Sequence, residues 1–505
     1  MVKKQIIIIA ILGAIFIGLI SIYFVLVRPL VNETGPETTA EPIDTEEWED
    51  VGIGKKILAY DYIKSDDVQS ITVNNEHGTY RIYRGEDDEA VIEGFEGIAF
   101  NKENMAALMS SVGYVAVTTK FDEPNALEEY GLAPTKLEDG TIKNPATFEV
   151  VTTSGEKYKG IVGDKIVTGN GYYFLYEKHP DVVYIVKPDF DETVLAPVEA
   201  LIEPMIVTPL QESDYVKVHD FLLMKDKEVI VNFDYIEEAD RANSEYVNQM
   251  YKMLSPEGLI PSSSAISGIM YKLYSSKASL EVVKLGINDE ALAEYNLDKN
   301  AYSLYFKYNG VENLILISQR TSDGSFYAAS PLFDQIVKGT SELFDFVTWD
   351  LFDWVESPFF QRNIIYITDI SVESSDFNVT FELEGEGSAL VVTDSKTGKV
   401  FDTNNFRQFY KTLLYSSYEG ESNLTSDELE TYHNMGDSEA QVVLTINTVG
   451  GNTFRYRFFQ YTERRSYVEL NGVGQFYTLS TVPKKILADA KRVVNNEPIT
   501  STGKY

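Results

Sequence analysis

The sequence LEEYGL at residues 127–132 is matched by LAEYNL at residues 292–297 and, more weakly, by LETYHN at residues 429–434. Each copy predicts a short helix that ends at a tyrosine. Gly131 and Asn296 follow the first two tyrosines, and these residue types best tolerate the left-handed conformation that closes a helix. The leucine after each can pack back on the last turn, so this pattern is explained without a catalytic role.

Five further landmarks accompany these copies in a fixed order, which indicates an internal repeat. An alternating strand pair opens each repeat, at residues 68–84, 215–233 and 369–383. Apolar residues at i, i+3, i+4 and i+7 then predict an amphipathic helix. Its three apolar faces are Met105, Leu108, Met109 and Val112, then Val247, Met250, Tyr251 and Leu254, then Phe406, Phe409, Tyr410 and Leu413.

A hairpin and an aromatic strand come after each tyrosine-ended helix, and a last helix follows them. The hairpin turns are predicted at residues 154–155, 309–310 and 450–451. The aromatic strands are predicted at residues 172–174, 325–327 and 466–468, and the last helices near residues 190–201, 333–351 and 483–494.

This order of landmarks predicts an α+β fold class, in which mostly antiparallel sheets are packed with helices. We expect three tandem, divergent repeats, each long enough to hold its own core. The predicted units are residues 57–207, 208–360 and 361–497, followed by a tail at residues 498–505.

The run IIIIAILGAIFIGLISIYFVLV at residues 6–27 carries no charge and no proline. A helix of this length spans the hydrocarbon core of a bilayer. No small-residue cleavage pattern follows it, so we expect an uncleaved signal anchor, a single N-terminal transmembrane helix, rather than a cleaved signal or a buried core helix. Lys3 and Lys4 place residues 1–5 in the cytoplasm by the positive-inside rule, and the bulk of the chain is then extracytoplasmic. Residues 28–56 form an acidic, flexible spacer.

The chain of 505 residues has 43 Lys and Arg against 78 Asp and Glu, a formal net charge of −35. Such a chain is repelled by nucleic-acid phosphates and anionic headgroups, so we exclude nucleic-acid binding. Solubility explains the acidity, and a cationic partner is the alternative. There is no cysteine, which excludes disulfides, thiol nucleophiles and Cys-ligated zinc.

The sequence shows no catalytic motif, and we expect no enzyme, no cofactor and no metal site. The four histidines are well separated and no HExxH, Gly-x-Ser-x-Gly or phosphate-binding loop occurs, although a triad assembled in space stays open. Asp189, Asp191 and Glu192 could contact Ca²⁺, but they lack the twelve-residue ligand spacing and are better explained as the cap of a following helix.

Three aromatic clusters are the remaining candidates for binding, because exposed rings stack on sugars or anchor partners. They lie at residues 172–174, 349–354 and 458–459. Strand and helix spacing favours a place in the core for all three.

The first repeat carries a longer signature: residues 127–134 (LEEYGLAP), Gly155, Gly163-Asp164, residues 171–173 and residues 183–186. It resembles a bacterial family of N-terminally anchored domains of unknown function, whose genes often lie beside gliding-motility-type ABC transporter genes. The match is strong over residues 57–204, whereas the second repeat has Lys299 in place of Pro134. The resemblance implies an extracytoplasmic accessory of a transport or envelope complex, and it supplies no catalytic residues.

The leading hypothesis is therefore a membrane-anchored extracytoplasmic binding or scaffold protein whose partner is a transporter or another envelope protein. A cell-wall polysaccharide-binding protein is the alternative. A third hypothesis is an envelope hydrolase that uses paired carboxylates.

Overall fold

The computed structural model describes residues 57–85, 89–167, 171–209, 217–242, 245–246, 249–308 and 310–500. They form two compact units. The first comprises the described residues up to Glu93 together with Ala106–Ala196, and the second comprises Gly94–Met105 and the described residues from Pro197 onward.

The first unit holds a nine-stranded antiparallel sheet, called sheet 1, and a separate two-stranded sheet formed by β6 and β7. Its strands are β1 (Ile57–Leu58), β2 (Val68–Asn75), β3 (Gly78–Arg84), β4 (Ala90–Ile92), β5 (Ala116–Phe121), β6 (Thr135–Lys136), β7 (Ile142–Lys143), β8 (Ala146–Thr152), β9 (Lys157–Lys165), β10 (Tyr172–Tyr176) and β11 (Val183–Val186).

The second unit holds two eight-stranded antiparallel sheets, sheet 2 and sheet 3. Sheet 2 consists of β12 (Val218–Lys225), β13 (Glu228–Tyr235), β14 (Tyr251–Ser255), β15 (Leu280–Leu285), β16 (Tyr302–Tyr308), β17 (Val311–Ile317), β18 (Phe326–Ser330) and β19 (Gln335–Gly339). Sheet 3 consists of β20 (Ile367–Ser374), β21 (Phe377–Glu384), β22 (Val391–Asp394), β23 (Gly420–Glu421), β24 (Val442–Thr448), β25 (Thr453–Gln460), β26 (Arg465–Leu470) and β27 (Val473–Leu479).

The α-helices of the described residues are mostly short. They are α1 (Lys102–Gly113), α2 (Glu238–Ala242), α3 (Ser263–Tyr274), α4 (Asp289–Glu294), α5 (Ser341–Phe344), α6 (Thr403–Leu414), α7 (Ser426–Asn434) and α8 (Thr481–Asn495). Single turns of 3-10 helix lie at Ser65–Asp67, Leu127–Tyr130, Val198–Leu201, Ser276–Ser279, Asp345–Thr348, Leu351–Trp354, Ile364–Tyr366, Gly387–Ala389 and Asp437–Glu439.

The three large sheets place their strands in one common order. Across sheet 2 the order is β14-β13-β12-β16-β17-β18-β19-β15, and across sheet 3 it is β22-β21-β20-β24-β25-β26-β27-β23. Sheet 1 repeats it as β4-β3-β2-β8-β9-β10-β11-β5, with β1 added beside β5. Equivalent residues in the three sheets can therefore be compared by register.

Alternating burial along the central strands forms each core on one face of its sheet. The central strands β8 and β16 alternate buried and half-buried residues throughout. Their buried positions include Phe148, Val150, Leu304 and Phe306. The opposite face of each sheet is the outer face.

The predicted helix faces are partly confirmed. In α6 the residues Phe406, Phe409, Tyr410 and Leu413 are all buried, as expected. The helix predicted over residues 247–254 is wrong, because Tyr251 and Met253 are buried while Lys252 and Leu254 are exposed, the two-residue period of strand β14. The equivalent helix of sheet 2 is α3, whose N-cap is the Ser262 side chain.

The predicted α+β fold class is wrong. The described residues are mostly β, with 39% strand, 25% helix and four antiparallel sheets. The helix predicted near residues 190–201 is reduced to a single turn at Val198–Leu201. The helix predicted near residues 333–351 is instead strand β19 followed by the short turns of α5 and Asp345–Thr348. In the described part of the chain, no helix is both long and apolar enough to cross a membrane.

Several predicted segments are not tested by the structure. The stub, the anchor and the spacer, residues 1–5, 6–27 and 28–56, lie outside the described residues. The unit boundaries at residues 207–208 and 360–361 stay predictions, as does the tail from residue 498.

Candidate binding surface

The repeated tyrosines lie in a second, smaller core on the outer face of each sheet. Each tyrosine that ends a short helix contacts the tyrosine of the aromatic strand. Ring-centroid distances are 4.9 Å for Tyr130–Tyr173, 4.8 Å for Tyr295–Tyr327 and 4.7 Å for Tyr432–Tyr467. Buried Leu132, Leu297 and Ala440 belong to these three clusters. The motif therefore fastens a short helix to the sheet.

The glycines of the first signature also have structural reasons. Gly131 and Asn296 have φ angles of 67° and 57°, which confirms the predicted left-handed helix ends. A Cβ on Gly163 would lie 2.2 Å from the carbonyl oxygen of Tyr130, and one on Gly131 would lie 2.6 Å from Cγ of Asp164. Only glycine lets the helix end approach β9 this closely.

Most side chains of the aromatic clusters belong to the core. Tyr172 and Phe174 are buried in sheet 1, Trp354 is buried near sheet 2, and Phe458 and Phe459 are buried in sheet 3. The prediction that they are core residues is confirmed for these five side chains. They offer no exposed ring for stacking on a sugar.

The acidic run at residues 189–192 makes local contacts. Oδ1 of Asp189 accepts a hydrogen bond of 3.2 Å from the backbone N–H of Asp191 and one of 3.3 Å from the Tyr172 hydroxyl. The Lys165 ammonium lies 2.5 Å from Oδ2 of Asp191 and holds the pKa of that carboxyl below its usual range. Asp189 thus closes a turn, where a helix cap was predicted. Among the residues the structure describes, no His, Asp and Glu side chains form a group that could hold a metal ion.

The outer faces differ in chemistry at one equivalent row. Backbone register aligns four residues across four strands in each sheet: Arg81, Thr72, Glu149 and Lys159 in sheet 1, Asn232, Leu222, Tyr305 and Leu314 in sheet 2, and Thr380, Ser371, Thr445 and Arg455 in sheet 3. Only the row of sheet 2 contains large apolar side chains.

In sheets 1 and 3 this row is polar and paired internally. The Arg81 guanidinium lies 3.4 Å from Glu93, and the Lys159 ammonium lies 3.1 Å from Glu177. In sheet 3 the hydroxyls of Ser371 and Thr380 are 2.8 Å apart, and Arg455 pairs with Asp437. Such polar faces are stable in contact with water, so the fold itself does not require apolar residues at these positions.

In sheet 2, Leu222, Tyr305 and Leu314 form what we call the apolar row. Leu314 is 38% exposed, and Leu222 and Tyr305 are half-buried. Two residues along β17, Leu316 already packs in the cluster with Tyr295 and Tyr327. The apolar row is therefore the exposed extension of an apolar surface that is covered at Leu316. Exposed apolar patches of this kind often mark interaction sites.

A charged rim borders the apolar row, one register step away. The Lys307 ammonium lies 2.9 Å from Oδ2 of Asp220 and 3.5 Å from Oε1 of Glu312. The Asp220 carboxylate raises the pKa of Lys307, so that ammonium stays charged.

His219 and Lys217 complete the rim. His219 lies 3.2 Å from Asp234 and 3.5 Å from Glu237, and Lys217 lies 3.3 Å from Glu237. The carboxylates of Asp220, Asp234, Glu237 and Glu312 outnumber the two lysines of the rim. The geometry is an apolar centre with an acidic border, which suits protein docking more than catalysis.

One cleft beside sheet 2 is too small for an organic ligand. Its volume is about 50 Å³, whereas ligand pockets usually measure about 300–1,000 Å³. Glu245 and Arg362 form a buried ion pair at 3.4 Å there, and the guanidinium lies between the rings of Tyr246 and Phe454 at 5.0 and 4.9 Å. We read this pair as part of the packing.

The sequence did not reveal the apolar row, because its three members are far apart in the chain and only register brings them together. In comparisons with known proteins, no family model, curated protein or solved structure matches the chain. The resemblance to the anchored bacterial family stays a prediction.

Proposed function

We propose that this chain is an extracytoplasmic binding or scaffold protein held at the membrane, an accessory of an ABC-type transporter or another envelope complex. The apolar row of sheet 2 carries the binding role, because the same register positions in sheets 1 and 3 are polar. The uncharged run at residues 6–27 supports membrane attachment. The family resemblance supports the link to transport.

The proposed occupant of the apolar row is a segment of a partner protein with apolar side chains flanked by Lys or Arg. Leu222, Tyr305 and Leu314 would be covered by the apolar side chains, and burial of one such residue contributes about 1.5–3 kcal/mol. The carboxylates of the acidic rim attract the basic flank. Charge complementarity of this kind mainly accelerates association and selects the partner.

Site-specific photo-crosslinking tests the binding role in the full chain. A benzophenone amino acid replaces Leu314, and matched variants carry it at the equivalent positions Lys159 and Arg455. We expect a crosslink from position 314 to a partner segment of the stated composition, and much weaker crosslinks from the two controls. Equal crosslinking from all three positions, or a crosslink to a second copy or to another part of this chain, would contradict the proposal.

Membrane attachment has its own test. Membranes from cells that express the full chain are extracted with alkaline carbonate, in parallel with a chain that begins at residue 57. We expect the full chain to stay in the pellet and the shortened chain to be soluble. Release of the full chain would overturn membrane attachment and leave the binding role to be judged by crosslinking alone.

Cell-wall binding through aromatic faces has weaker support, because the five aromatic side chains named above are buried. The paired-carboxylate hydrolase also stays a hypothesis, and no observation favours a particular pair.

A further inference from the structure

A groove on the second unit runs between helix α6 and residues 361–364. Its volume is about 680 Å³, within the usual range for ligand sites. Its lining is mixed. Apolar Ile364 and Leu414 lie beside the polar side chains of Gln361, Asn363, Asn404, Arg407, Gln408 and Lys411, and Arg362 of the buried ion pair also borders the groove. None of the described residues that line it is acidic, in a chain with 78 acidic residues.

Two of its cations, Arg407 and Lys411, lie on one face of α6, because residues four apart in a helix are neighbours. The Arg407 guanidinium donates to the carbonyl oxygen of Gly387 and keeps further N–H groups for a ligand. Lys411 is exposed, and its ammonium has no side-chain partner among the residues described. One turn further on, the ring of Tyr415 is 58% exposed.

The equivalent helices show that the fold does not need these cations. The buried faces of α3 and α6 align Ile266, Ile269, Met270 and Leu273 with Phe406, Phe409, Tyr410 and Leu413. This alignment puts Ser267 and Tyr271 at the positions of Arg407 and Lys411. The positive charge is thus particular to the third repeat.

We propose that this groove binds an anionic glycan, a hydroxyl-rich polymer that carries carboxylate or phosphate groups. Arg407 and Lys411 would pair with the anionic groups, and such charge-assisted hydrogen bonds are the strong ones. The amides of Asn363, Asn404 and Gln408 both donate and accept, as sugar hydroxyls require. Distant carboxylates of the chain oppose binding only weakly, because salt screens charges beyond about 10 Å at 0.1 M ionic strength.

Titration calorimetry with the full chain in detergent micelles tests the groove. The probes are polygalacturonate, polyglycerol phosphate and neutral dextran, which separate carboxylate, phosphate and uncharged polymers. We expect at least one polyanion to bind and dextran to bind much more weakly. The double variant Arg407→Gln with Lys411→Gln should lose about tenfold or more in affinity, the effect of losing about 1.4 kcal/mol.

A matched control removes the same charge elsewhere, through Lys484→Gln with Lys272→Gln. It should bind the polyanion as the wild type does. Unchanged binding by the groove variant, equal loss in the control, equal binding of dextran, or no binding of either polyanion would each overturn the proposal. Circular dichroism checks that these substitutions leave the fold intact.

Discussion

Sheets 2 and 3 carry different side chains beneath the tyrosine-ended helix. At the position where the tyrosine-ended helix covers the outer face, β17 carries Leu316 opposite Ala329, and β25 carries Arg457 opposite Glu469. Leu316 packs in an apolar cluster. Arg457 instead pairs with Glu469, which is 1% exposed, and also donates to the carbonyl oxygens of Met435 and His433.

This difference shows that side-chain chemistry at this position is free to change, from a half-buried leucine in sheet 2 to a buried arginine in sheet 3. An apolar pair and a fully satisfied ion pair both suit it. The same comparison supports a binding role for the apolar row, because the same fold forms with polar rows in sheets 1 and 3.

The largest expected effect comes from breaking the ion pair of sheet 3. Glu469→Ala leaves the Arg457 guanidinium buried without its carboxylate, and we expect unfolding free energy to fall by about 3–5 kcal/mol. Urea unfolding of the full chain in micelles measures it. The double variant Arg457→Leu with Glu469→Ala installs the residues of sheet 2 and should recover most of the loss. A double variant as unstable as Glu469→Ala alone would show that the two sheets are not equivalent here.

A smaller effect distinguishes two glycines. Gly163→Ala puts a Cβ against the Tyr130 carbonyl oxygen, so we expect a loss of about 1–3 kcal/mol. Gly268 lies inside α3, and a Cβ there meets no atom within 4 Å. Gly268→Ala should therefore stabilise by about 0.5–1 kcal/mol, since alanine is the better helix former. Thermal unfolding measures both, and a loss of stability in Gly268→Ala would be evidence against an open helix face.

Making the row of sheet 2 like that of sheet 3 should change stability little. We expect Leu222→Ser, Tyr305→Thr and Leu314→Arg together to shift unfolding free energy by about 1 kcal/mol or less, because these side chains are partly exposed. A matched chain that keeps the benzophenone amino acid at position 314 and carries Leu222→Ser with Tyr305→Thr should show a weaker crosslink to the partner. A loss of several kcal/mol would mean that the row belongs to the core of the molecule, and the docking proposal would then fail.

The smallest effect concerns pH. Burial raises the pKa of Glu421, while the backbone N–H of Phe352 donates to its Oε1 at 3.1 Å. A carboxyl group whose folded pKa is raised favours folding when protonated. Its contribution therefore falls as pH rises from the unfolded value of about 4.3 through the folded pKa.

Glu421→Gln keeps an acceptor for Phe352 and removes the titration. We expect the unfolding free energy of this variant to exceed that of the wild type by about 0.5 kcal/mol at pH 7 and to equal it near pH 4. The effect is small because solvent screens this partly exposed carboxyl group. Urea unfolding at the two pH values measures the difference. An equal gain at both would assign the effect to packing rather than charge.

Local signals were predictable from sequence, and register was not. The helix ends at Gly131 and Asn296 follow from residues adjacent in the chain, so they were found. The apolar residues near 247–254 fit a helical face as well as strand β14, and only sheet pairing decides between them. The contacts of Arg457 with Glu469, and the row of Leu222, Tyr305 and Leu314, depend on which strands become neighbours.

The common strand order also sets when each sheet can be finished. β15 pairs with β19 alone, and β23 pairs with β27 alone. In the chain, β15 precedes β16 to β19, and β23 precedes β24 to β27. Each of these edge strands is therefore synthesised before the strand with which it pairs. During synthesis the edge strand therefore stays unpaired until the last strand of its sheet has been made. A nascent repeat that is cut short before this last strand would expose the unpaired backbone of two strands, the edge strand and the strand that precedes the missing one.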